Sequence, residues 1–122
     1  MGRARIDEAQ GLAALRLWQA DAASASRDTK AMAVRFTLQA LADRAPGNTV
    51  EVRVPPFGAT QCIEGPRHTR GTPPNVIETD AATWLALAAG AVSWGDALAA
   101  GRIQASGARA DLSALLPVVR GT

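Results

Sequence analysis

Residues 50–90, VEVRVPPFGATQCIEGPRHTRGTPPNVIETDAATWLALAAG, change their hydrophobic period partway along, and that change decides the fold. Val50, Val52 and Val54 alternate with Glu51 and Arg53, the period-two pattern of a strand with one buried face. Pro55-Pro56 stops that strand, and residues 57–64 read as a second one, bounded by Gly65-Pro66. Residues 65–75, GPRHTRGTPPN, read as a loop with room for a short strand, and residues 76–79 as a third short strand. The period then becomes helical in AATWLALAAG, capped by Thr79 or Asp80, with Gly90 where a C′ glycine belongs.

Working outward towards the N-terminus, residues 28–44 read as a helix in which Met32, Phe36 and Ala40 recur every four residues, ending at Pro46-Gly47-Asn48. The small polar stretch DAASASR, residues 21–27, separates it from a first helix over residues 7–20. There Asp7 with Gln10 makes a capping-box arrangement, and Ile6, Ala9, Ala13 and Leu17 share a face. Gly11 inside that helix costs about 1 kcal/mol relative to alanine. Towards the C-terminus, Ser93 with Asp96 caps WGDALAA, which ends at Gly101. Residues 102–106 form a last strand with Ile103 and Ala105 on one face, and Asp111 opens a final helix stopped by Pro117. Helices, then strands, then helices and one more strand define an α+β fold. The 122 residues suit one domain: an N-terminal helix and linker over 1–25 and a core over 26–122.

Composition narrows the function. Net charge is +2, from 13 basic and 11 acidic residues that are interspersed rather than gathered in a stripe, so no nucleic-acid partner is expected. Cys62 is the lone cysteine, which excludes an intramolecular disulfide and fits a reducing cytoplasm. The first ten residues, MGRARIDEAQ, lack the apolar core of a signal peptide. The longest apolar stretch, residues 84–93, is far short of the ~20 residues that span a bilayer, so no stable membrane insertion is expected. One histidine and one cysteine do not supply a four-ligand zinc site, and neither a P-loop nor a dinucleotide fingerprint occurs, so no cofactor is expected.

Residues 84–116 resemble the C-terminal part of the sterol carrier domain. The carrying residues are Trp84-Leu85-Ala86-Leu87, Gly90, Ala97-Leu98, the run Gly101-Arg102-Ile103-Gln104-Ala105-Ser106-Gly107, Asp111-Leu112 and Leu115-Leu116. The block over residues 50–90 is similar to a bacterial group of sterol-carrier-like proteins, and the whole chain fits that group in length and element order. The resemblance implies a twisted, mostly antiparallel sheet of about five strands with helices packed on one face. It also implies an apolar tunnel between sheet and helices that takes a sterol, a fatty acid or an acyl-CoA-like lipid.

On this reading the chain is a non-catalytic carrier, a monomer or weak homodimer, whose partner is an apolar small molecule or lipid. Phe57, after the diproline, stands at the tunnel mouth or else anchors a plain strand-to-strand turn, and Trp84, Leu85, Leu87, Ala88, Trp94, Leu98 and Ile103 line the tunnel. The same residues fit a plainly filled core, and periodicity does not separate the two. Arg67, His68 and Arg70 are the candidates for holding a polar head, or else arginine partners for Glu64 and Glu78. Cys62 and His68 with Glu78 or Asp80 assemble on paper into a catalytic trio, but lone cysteines usually serve as small buried hydrophobes. The rival reading is a protein-interaction module with a filled core, acting through its first helix or through homodimerisation.

Overall fold

Among the described residues, each α-helix starts on a side chain that caps its N-terminus. The structure, a computed structural model, describes residues 5–65 and 74–119. Helix α1, Glu8–Ala20, is capped by Asp7, which accepts the Gln10 N–H at 3.3 Å. Helix α2, Arg27–Arg44, is capped by Ser26, which accepts the Thr29 N–H at 3.0 Å. Helix α3, Ala81–Ala89, is capped by Asp80, which takes both the Thr83 N–H at 2.7 Å and its hydroxyl at 2.9 Å. Gly90 ends α3 at φ 83°, the left-handed conformation glycine adopts without steric cost. Helix α4, Trp94–Ala99, begins on Ser93, which accepts the Asp96 N–H. The expected final helix is only a 3-10 turn, Ser113–Leu115, because Asp111 accepts the Ser113 N–H two residues on. That is a local turn, and Pro117 leaves no room to extend it.

The described strands are β1 Val50–Val54, β2 Gly58–Cys62, β3 Asn75–Thr79 and β4 Ile103–Ser106, ordered β2-β1-β3-β4. β1 pairs antiparallel with β2, Val50 opposite Cys62 and Val54 opposite Gly58. β3 pairs antiparallel with β4, from Val76 opposite Ser106 to Thr79 opposite Ile103. The central β1–β3 pair is parallel, so two of the three pairings are antiparallel. β2 begins one residue later and ends two residues earlier than its sequence suggests. Phe57 belongs to the turn, its N–H bonded to the Val54 carbonyl, and Ile63 sits at φ 70°, outside strand geometry.

The alternation in β1 has its expected consequence. Val50, Val52 and Val54 are buried under the helices, while Glu51 and Arg53 on the opposite face pair with each other at 2.6 Å. The core joins these valines and Ile77 to Leu15 of α1, Val34, Leu38 and Leu41 of α2, and Trp84, Leu85, Leu87 and Ala88 of α3. α1 docks on α2 at close range. A Cβ on Gly11 would stand 2.1 Å from Phe36 Cγ, so the glycine that weakens the helix is what lets it approach.

Candidate functional site

α2 lies across the sheet near β2, which is at one end of the described strand order, and the two leave a groove of about 600 Å³ between them. Six of its lining residues come from α2: Asp28, Ala31, Met32, Arg35, Leu38 and Gln39. They recur at helical spacings of three and four, so they form one stripe along one side of the helix. β2 contributes Gly58, Ala59 and Thr60, and Ile6 closes the groove from the segment before α1. The volume falls within the ~300–1,000 Å³ typical of small-molecule pockets. Ile6, Ala31, Met32, Leu38 and Ala59 offer apolar surface, and Asp28, Arg35, Gln39 and Thr60 offer polar groups.

Two arginines of α2 meet Phe57 beside the groove. The Nε of Arg35 donates to the Phe57 carbonyl at 2.9 Å, which fixes the direction of the side chain. The Arg27 guanidinium stands 5.6 Å from the centre of the Phe57 ring, within cation–π range. Half-buried Phe57 thus gathers two exposed guanidinium groups, one on its ring and one on its carbonyl. Asp28, also in the lining, directly follows Arg27 and lies two helical turns from Arg35, about 10 Å along the axis.

A second hollow of about 450 Å³ lies at the other end of α2, lined by Ala45, Pro46, Ile63 and Leu115 with Arg44, Glu64 and Asp111 among its charged groups. Arg44 is engaged there, donating to the Pro117 carbonyl at 2.8 Å.

The residues singled out from the sequence divide between these places. Trp84, Leu85, Leu87, Ala88, Trp94 and Ile103 are buried in the core, and none contributes to the walls of either hollow. Leu98 is 44% exposed. Phe57 sits beside the groove through its contacts with Arg35 and Arg27. Arg67, His68 and Arg70 lie outside the described residues. Sequence reasoning missed Ala31, Arg35 and Gln39. The stripe they belong to is of mixed polarity, so no hydrophobic pattern marks it, and only its helical spacing was there to be read.

Cys62 is fully buried, and burial pushes its thiol up to about 11. At neutral pH it is a protonated thiol with no access to a substrate, which removes the nucleophile from the trio considered above. Among the described residues no cluster of three or more histidine, cysteine or acidic side chains could hold a metal ion. No helix among them is long and apolar enough to cross a membrane.

A family model described as "Bacterial SCP ortholog" matches residues 26–118, from the cap of α2 to the segment beyond the 3-10 turn. No curated protein matches the chain.

Proposed function

The chain belongs to the bacterial SCP ortholog family, and from that premise we propose that it is a non-catalytic carrier of an apolar ligand. The observation that carries this reading is the α2–β2 groove between helix and sheet, whose walls apart from Ile6 lie inside the matched region. In this reading the hydrocarbon part of the ligand rests on Ala31, Met32, Leu38 and Ala59, gaining about 0.8 kcal/mol for each methylene buried. The arginine pair at Phe57 suits an amphiphile, a lipid with a polar or anionic head beside Arg35. Arg67, His68 and Arg70, outside the described residues, stay candidates for a polar head from the sequence alone. The buried residues Trp84, Leu85, Leu87, Ala88, Trp94 and Ile103 then act as the scaffold that holds α3 and α4 on the sheet.

Native mass spectrometry of protein purified from its own host, with extraction of anything bound, tests the reading. A lipid retained at one copy per chain supports it. Bare protein that also fails to take up a fatty acid or a sterol in solution overturns it.

A second reading, an interaction module, is favoured by one observation: Leu17 on α1 is 62% exposed next to half-buried Trp18. A mass that rises with protein concentration supports that reading, and a monomer at all concentrations removes it.

A further inference from the structure

Among the described residues, Ile6 is the one lining residue of the larger groove that comes from neither α2 nor β2. Its main chain is what holds it in place. The carboxamide of Gln39 spans it, Oε1 accepting the Ile6 N–H at 3.0 Å and Nε2 donating to the Ile6 carbonyl at 3.0 Å. One residue earlier, Arg5 reaches Asp43 with both terminal nitrogens, at 3.1 and 2.5 Å. Gln39 and Asp43 are four residues apart, so the same side of α2 carries both holding points. One residue later, Asp7 caps α1, and α1 is seated on Phe36 through Gly11.

Residues 5–7 are therefore a short strap pinned at two ends of unequal strength. The downstream end is a packed helix contact. The upstream end is an ion pair whose side chains are 67% and 52% exposed, a kind of contact that is weak and screened by salt. Opening begins at the weaker end. The strap also lies outside residues 26–118, the portion shared with the family model.

We infer that residues 5–7 gate the groove: release of Arg5 from Asp43 and of Ile6 from Gln39 swings Ile6 away from the lining and admits the ligand, with α1 remaining docked as the hinge. The inference rests on the groove being the ligand site. It assigns Asp43, which lies outside the lining, the control of exchange rate rather than of affinity, and Gln39 a part in that rate besides its place in the lining.

Stopped-flow fluorescence with the full chain and undecanoic acid carrying a dansyl group tests it, after equilibrium titration of the same probe. Asp43→Asn breaks the ion pair without touching the groove lining, and Gln39→Ala breaks the clamp. Asp43→Asn is expected to raise association and dissociation rates together by about threefold, the scale of an exposed ion pair. Gln39→Ala is expected to raise both by about tenfold, the scale of lost hydrogen bonds. The Kd of Asp43→Asn moves less than either rate, and added salt accelerates the wild type but not Asp43→Asn. Rates indifferent to both variants overturn the gate. So does a rise in dissociation alone with a matching loss of affinity in Asp43→Asn, which makes Ile6 a wall. A wild-type chain that fails to bind the probe at equilibrium overturns the carrier reading first, and the gate with it.

Discussion

The indole N–H of Trp84 on α3 donates to Thr37 Oγ1 on α2 at 2.8 Å, in a part of the core where both side chains are almost wholly removed from water. Thr37 Oγ1 in turn lies 2.7 Å from the Ala33 carbonyl and 3.0 Å from that of Val34, so its own proton goes back to α2. Each polar atom of the pair is satisfied, and the rotation of α2 about its axis is tied to α3. The opposite consequence appears at the surface. With Thr37 turned inward, Met32, Arg35 and Gln39 are presented along the groove.

Thr37→Val removes the acceptor and leaves the Trp84 N–H buried without a partner. The expected loss is about 1–3 kcal/mol, the cost of an unsatisfied buried donor. Trp84→Phe in the Thr37→Val background removes that orphan, so the double variant falls short of the sum of the two single losses. Urea denaturation of all four proteins measures the coupling. Additive losses mean that the contact contributes nothing specific.

Gly11→Ala separates intrinsic helix propensity from packing. Propensity alone favours alanine by about 1 kcal/mol. The added methyl, however, meets the Phe36 ring, and overpacking of this kind costs about 1–3 kcal/mol. The variant is expected to be less stable and to show faster hydrogen exchange in α1 while the sheet stays protected. A gain in thermal stability shows that α1 is not seated as described.

These two positions show what the sequence carried. The valine alternation in β1 and the cap residues Asp7, Asp80 and Ser93 each specify their element locally, and the structure builds those elements there. Gly11 carried only half of its meaning, because the penalty is local whereas the benefit depends on Phe36, 25 residues away. The groove was harder still to read. Trp84, Leu85 and Leu87 lie in the longest apolar stretch of the chain, and apolar clusters fill cores. A wall open to solvent is built from mixed residues such as Arg35 and Gln39, which look like any exposed helix face until β2 is placed beside them.

Arg35→Met tests the arginine contact at Phe57. The thioether keeps apolar surface beside Gly58 and removes the charge fixed by the Phe57 carbonyl. Binding of a fatty acid is expected to weaken about fivefold, the scale of an exposed charged contact near 1 kcal/mol, while the alcohol of equal chain length is little affected. High salt narrows the difference between the two ligands in the wild type. Equal losses for acid and alcohol place the head elsewhere.

Cys62 yields a pH dependence whose sign follows from burial. Its folded thiol titrates at about 11, above the value of 9.0 for an unperturbed thiol. Below pH 9 the thiol is protonated in both folded and unfolded chains and its titration has no effect on stability. Between pH 9 and 11 the unfolded chain loses the proton and the folded chain keeps it, so stability falls as pH rises, at up to about 1.4 kcal/mol per pH unit. Cys62→Ala lacks this titration. The variant is less stable than the wild type at pH 7 because of the cavity it leaves, and the gap is expected to narrow from pH 9 upward. Iodoacetamide is expected to label the wild type only as fast as the chain opens. Rapid labelling of the native protein at pH 7, or a stability gap independent of pH, would place Cys62 within reach of solvent and restore it as a candidate nucleophile.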